Sequence, residues 1–367
     1  MNVSRKSPIW MPVLFAPLLA MKILSSPAED PGNKAQLQQK QRAESTAAFL
    51  KIIDRARVPL APKLTEVGGI DGGKQFHFSF SSDSENRVPG ILIEPADAAG
   101  KHPVVIVLHG TGSSKERQLP LLKELASRGF LSVAIDAPYH GERAPRGRSQ
   151  YVQALLRAYM TRGEHPFVYD TVWDAMRLVD YLASRSDVDA SKIGLIGFSK
   201  GGIETYLTAA VDPRIAVAVS CIGAQSFRWS LEHNAWQALV DTIKGGLDGQ
   251  LSAVLHDSDP DLVRSFLDRV VPGIDDQFDA PAMLPLIAPR PLMLINSDSD
   301  PLTPLASVME CANAAKKAYA QSHAEDRFLL RIQEKTGHTV SAASRRAAID
   351  WFAKWLTPAE RRVTSDE

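Results

Sequence analysis

The sequence predicts an α/β fold: a mostly parallel, doubly wound sheet with a helical cap insertion. Three observations carry that reading. Short apolar runs recur along the chain, helical segments lie between them, and one run enters a Gly-x-Ser-x-Gly turn that leaves into a helix.

Taken in order, residues 1–28 read as a signal peptide. Arg5 and Lys6 precede an apolar stretch from Ile9 to Met21, and Ser26-Pro27-Ala28 supplies the small residues at which a signal peptidase cuts. The stretch is shorter than the ~20 residues that span a bilayer, so no stable membrane insertion is expected. The expected location is secreted or periplasmic. If the segment is instead an apolar tail of the domain, the protein is cytoplasmic.

Residues 29–85 should hold an N-terminal helix and the first strands. Gln36 to Ile53 has the spacing of a polar lead-in helix. Gln75 to Phe80 and Val88 to Ile93 alternate as strands around the turn-like Ser81-Ser-Asp-Ser-Glu85, giving the sheet an antiparallel start.

Residues 86–360 form the main domain. Val104 to Leu108, Leu131 to Ile135, Ile193 to Ile196, Ala216 to Ser220 and Leu292 to Ile295 are runs expected of strands buried on both faces. Leu119 to Arg128 and Thr171 to Ser184 read as crossover helices, and Ala342 to Leu356 as a final one. Between about 225 and 285 the rhythm breaks into helical segments without strands, as expected of a cap over the strand ends. Residues 361–367 are a charged tail.

Composition narrows the partner. Forty-four per cent hydrophobic and 23% charged residues suit a soluble globular protein, and 42 basic against 42 acidic side chains provide no positive field for nucleic acid or an anionic membrane. A small molecule is the expected ligand. Two cysteines, Cys221 and Cys311, are too few for a disulfide framework in a chain of 367 residues and read as buried thiols. Oligomeric state is not legible.

The chemistry concentrates at Gly197-Phe-Ser199-Lys-Gly201, following the strand Ile193 to Ile196. A serine at such a strand-to-helix turn is held in a strained backbone with its hydroxyl exposed above the sheet, and the flanking glycines leave room for it. An acid and a histidine follow in the chain order this arrangement requires. Asp300, in an acidic loop after Leu292 to Ile295, is the choice of acid, with Asp298 its rival. His338 follows Gly337 on a loop before the final helix and is the base. Two donors are needed for an oxyanion: the amide of Lys200, and the amide of Thr111 in the loop His109-Gly-Thr-Gly112. That loop fails the phosphate-binding spacing, because no glycine immediately precedes Lys115. Tyr139, His140 and Arg143, together with Trp229, Trp236 and Phe278, are candidates to contact substrate, although packing accounts equally well for each aromatic. His140 with Glu142 does not make a metal site, and none is expected.

With these residues in place the chain resembles the α/β-hydrolase superfamily and, within it, the dienelactone-hydrolase and acetyl-xylan-esterase-like group. The resemblance spans roughly residues 88 to 356 and rests on Leu108-His-Gly-Thr-Gly-Ser-Ser-Lys115, Tyr139-His-Gly-Glu-Arg143, Phe227-Arg-Trp229 and Ile287-Ala-Pro-Arg-Pro-Leu292. It implies carboxylic-ester hydrolysis of short-acyl, acetyl-esterase type by a serine triad, with no cofactor and a small-molecule ester as substrate. Dienelactone hydrolases proper use a cysteine nucleophile, so Ser199 argues for simple esters. A prolyl-oligopeptidase-like peptidase uses the same triad and is the alternative enzyme; a non-catalytic hydrolase-like binding protein is the alternative outside catalysis.

Overall fold

Strand β4 (His102–Leu108) shows why the apolar runs are unbroken. Val104, Ile106 and Leu108 enter one apolar core, while Val105 and Val107 enter a second. Successive side chains point to opposite faces of a strand, so a sheet covered on both sides favours an apolar residue at every position. The computed structural model describes residues 31–70, 73–96, 100–144, 149–161, 166–244 and 259–357. Residues 1–28, read as a signal peptide, and the tail 361–367 lie outside them. The chain divides into two units after Gln41. The helix Pro31–Ile53 crosses that division, and in the larger unit its residues Phe49 and Ile53 belong to the core.

The sheet of the larger unit contains, besides β4, strands β1 (Lys63–Ile70), β2 (Gly73–Ser81), β3 (Arg87–Pro95), β5 (Leu131–Ile135), β6 (Val188–Phe198), β7 (Ile215–Cys221), β8 (Leu292–Ser297) and β9 (Phe328–Gln333). Their order is β1-β2-β3-β5-β4-β6-β7-β8-β9. Pairings from β1 to β5 by way of β3 are antiparallel, and those from β5 through β4 to β9 are parallel. Helices Leu119–Ser127 and Ala342–Leu356 bury Leu122, Leu125, Ile349 and Phe352 against the Val105 face. Helices Asp170–Ser184 and Lys200–Val211 bury Leu178, Val179, Tyr206 and Leu207 on the Val104 face.

Chain order reverses at β4, which has β5 on one side and β6 on the other. At such a switch point the loops after adjacent strands diverge and leave a crevice at the carboxyl ends of the strands. The loop after β4 and the Ser199 turn after β6 border it.

Between β7 and β8 the described residues form helices Phe227–Glu232, Gln237–Lys244, Pro260–Val270 and Ala280–Met283, and no strand. Local chemistry starts several of them. The Ser226 hydroxyl accepts a hydrogen bond from the amide of Trp229, and the Asp259 carboxylate accepts one from the amide of Leu262 ahead of a helix opened by Pro260.

The sequence reading overlooks β1 and the helices Ser149–Thr161 and Leu305–Gln321. Strand β1 is an edge strand with a bulge between Glu66 and Gly68, and its Leu64 and Val67 are exposed, so it lacks the one-sided burial that produces alternation.

Candidate active site

Ser199 sits between β6 and the helix Lys200–Val211 with φ 55° and ψ −118°. A non-glycine residue in this positive-φ region is strained, and the turn is tight enough to dictate its neighbours. A Cβ at position 197 would lie 2.0 Å from the Gly201 carbonyl oxygen, and one at position 201 would lie 2.4 Å from that of Leu108. Glycine is therefore required on both sides of the serine. The Ser199 amide donates to the Cys221 carbonyl at 2.9 Å, tying the turn to the end of β7.

His338 and Asp300 reach the serine from loops after β9 and β8. The Ser199 Oγ lies 2.7 Å from His338 Nε2, and His338 Nδ1 lies 2.7 Å from Asp300 Oδ2. Asp300 is buried and also accepts bonds from the Thr303 hydroxyl at 2.8 Å and the Leu302 amide at 2.9 Å. Burial pulls its carboxyl pKa upward, but the bonds from His338 and Thr303 outweigh it and hold the group below the usual carboxylate value. Asp298 does not reach His338. Its carboxylate accepts from the amides of Lys335 and Thr336, anchoring the loop that leads to the histidine.

Thr111 and Lys200 both border the cavity beside Ser199, and the amide of neither donates a hydrogen bond among the described residues. Lys200 is the first residue of its helix, where the amide has no intrahelical acceptor. Two such amides near a nucleophilic oxygen can receive a developing negative charge.

His109, in the same loop as Thr111, is held neutral. Burial drives its pKa well below the normal value and the positive charge of Lys200 adds to that. Its Nδ1 lies 2.9 Å from the Gly110 carbonyl and its Nε2 accepts the Ala137 amide at 3.1 Å, a pairing that only the Nδ1–H tautomer satisfies.

The cavity above Ser199 has a volume of about 320 Å³. None of the six residues predicted to contact substrate lines it. Tyr139, His140 and Arg143 belong to a loop folded around Asp136, whose carboxylate accepts from the amides of Lys115 and Glu142. Tyr139 packs edge-on against Phe167, His140 packs between His109 and Tyr151, and Arg143 pairs with the buried Asp174 at 2.6 Å. Phe278 is fully buried against Phe49, Trp236 is buried in the core, and Trp229 stacks on His233 at 4.1 Å. The aromatic rings and His140 are engaged in packing and Arg143 in an ion pair, because a loop or cap aromatic covers apolar surface wherever the chain places it.

Two charged groupings escape the sequence reading. Lys200 Nζ meets Glu204 Oε1 at 2.6 Å, both side chains being buried at the cavity wall; their spacing of four on a helix is the signal that was there to be read. Glu116, Asp136 and Glu142 converge closely enough to hold a metal ion, yet the Lys115 ammonium stands among them at 2.6, 2.7 and 2.7 Å. Burial lowers the pKa of Lys115, and its bonds to Asp136, Glu116 and Glu142 raise it by more. The lysine thus does here what a cation would do.

The chain is similar to known proteins in sequence and in fold. Residues 50–224 match the family model described as acetyl xylan esterase. The chain is 27% identical over 288 residues to the "Putative hydrolase YtaP" of Bacillus subtilis (strain 168), covering 75% of this chain and 85% of that protein. Among solved structures it superposes on an acetyl xylan esterase from Paenibacillus sp. R4 with a TM-score of 0.61 at 18% identity, over 87% of this chain and 94% of that one. Acetyl xylan esterase 1 from Thermoanaerobacterium sp. JW/SL YS485 gives 0.60 at 18% identity, over 87% and 98%.

Proposed function

We propose that this chain, which is similar to the acetyl xylan esterases and shares the fold of α/β-hydrolase esterases, hydrolyses carboxylic esters and that Ser199, His338 and Asp300 carry the reaction. The observation that supports this assignment is the unbroken relay of 2.7 Å contacts from Asp300 through His338 to a serine in strained backbone.

In the proposed course His338 Nε2 takes the Ser199 proton as Oγ attacks the ester carbon. Asp300 accepts the Nδ1–H bond, which fixes the tautomer and stabilises the imidazolium. The amides of Thr111 and Lys200 receive the oxyanion, each such donor contributing ~3 kcal/mol of transition-state stabilisation. Collapse expels the alcohol, which takes the proton from His338. Water then attacks the acyl-enzyme by the same route in reverse.

Export belongs to the same reading: the charged and apolar pattern of residues 1–28 supports a secreted or periplasmic enzyme.

The test is covalent labelling of the protein by a fluorophosphonate, alongside hydrolysis of p-nitrophenyl acetate by wild type and Ser199→Ala. Labelling of Ser199 and a loss of ~10⁴-fold or more in kcat on substitution are expected. A Ser199→Ala protein that retains the activity would overturn the assignment.

A further inference from the structure

The cavity over Ser199 is larger than an acetyl group fills. Its outer walls are Leu239 and Val240 of helix Gln237–Lys244, with Val263, Phe266, Leu267 and Val270 of helix Pro260–Val270. The last four recur at the spacing of one helical face, so a complete apolar stripe of that helix borders the cavity. Tyr151 and Leu155 of helix Ser149–Thr161 add to it. Besides Ser199 and His338, the polar lining residues stand mostly on loops after the strands and on the helix that follows the nucleophile: Thr111, Lys200, Glu204, Gln225 and Thr303. From the cap helices just one polar residue, Thr242, joins the described lining, and its hydroxyl donates to the Leu239 carbonyl.

Size and polarity together select the ligand. An apolar cavity of about 150 Å³ is enough for a benzene ring, and about 320 Å³ is available here. An acetyl group would leave most of that apolar surface uncovered. A sugar reaching the cap helices would bury hydroxyls against walls that provide almost no partners, and an unpartnered buried hydroxyl is unfavourable.

We propose that the preferred substrate is an ester carrying an apolar group of about eight carbons, aliphatic or aryl, held against the cap helices. The apolar group can belong to the acyl or the alcohol half, since both radiate from the carbon that Ser199 attacks. This inference rests on the ester-hydrolase reading and adds the substrate class to it.

Two series of esters separate the sources. In the first, ethyl acetate, butyrate and octanoate vary the acyl half; in the second, ethyl, butyl and octyl acetate vary the alcohol. A rise in kcat/KM of tenfold or more along one series is expected, and the series that shows it identifies the half that occupies the cavity. In Leu267→Trp, which fills the cavity, the ratio of long-chain to short-chain kcat/KM should fall by a similar factor. A ratio taken within one preparation is insensitive to the fraction that folds. Hydrolysis of ethyl acetate with no gain along either series would overturn this inference and leave ester hydrolysis standing. Failure to hydrolyse any of these esters, with Ser199 unlabelled by a fluorophosphonate, would overturn the ester-hydrolase reading itself.

Discussion

The imidazole of His338 and the carboxylate of Asp300 meet through Nδ1 and Oδ2 at 2.7 Å, across the loops that follow two neighbouring strands. Asp298, two residues earlier, holds the backbone of the histidine loop instead. Asp300→Asn should therefore lower kcat by ~10⁴-fold, as loss of the tautomer-fixing acid does in serine hydrolases. Asp298→Asn should cost roughly a few-fold at most. Steady-state kinetics of the two variants on p-nitrophenyl acetate decides between them, and the opposite ranking would move the acid to Asp298.

A second prediction concerns Gly110. A Cβ there would stand 3.0 Å from the Phe198 carbonyl oxygen and 3.3 Å from the Ser199 Cβ. The methyl group presses on the peptide that precedes the nucleophile and on the nucleophile's own Cβ rather than on the core. Gly110→Ala should lower kcat by ~10²-fold, the scale of a small misplacement of a reacting group, while far-UV circular dichroism stays that of wild type.

The Lys115–Asp136 pair allows a stability test. Both side chains are wholly buried and Nζ lies 2.7 Å from Oδ2. Lys115→Met should reduce the free energy of unfolding by about 3 kcal/mol, measured by urea titration, because it leaves a buried carboxylate without its counter-charge. Adding Asp136→Asn should recover part of the loss.

Acid sensitivity should arise in part at Asp83. Burial raises its pKa, but the Arg55 guanidinium at 2.5 Å and the amides of Glu85 and Asn86 bring it down to about 2, from an ordinary value of 3.8. Between those values the unfolded chain binds more protons than the folded one, so this contribution is complete above about pH 4 and is lost as pH falls through about 2. With screening by solvent allowed for, it is on the order of 1 kcal/mol. The stability difference between wild type and Asp83→Asn should shrink over that window; a difference that is flat from pH 5 to pH 2 would show that the carboxylate's charge is not its source.

Much of the fold was legible because buried parallel strands leave an unambiguous mark. Leu131–Ile135 and Ala342–Leu356 coincide with the structure to the residue. β1 was not, since an exposed edge strand has no face to keep apolar. At the site, Ser199 could be read from the glycines that its turn requires, and His338 and Asp300 from the loops that end β9 and β8. The cavity walls could not. Trp229, Trp236 and Phe278 drew attention by size, yet Val263, Phe266, Leu267 and Val270 line the cavity with the same spacing that any core-facing helix shows. Periodicity tells that a helix face is covered, not whether protein or ligand covers it.

The groups assigned to chemistry all stand in loops that follow sheet strands or at the first turn of the helix after Ser199, and most of the outer cavity wall stands on a separate insertion between β7 and β8. On the proposed assignments, rate and much of the selectivity are encoded in different stretches of the gene. Substitutions accumulating in residues 227–283 would then retune which ester is accepted while the reaction centre is inherited unchanged, so that new specificities would lie a few mutations apart on an otherwise constant scaffold.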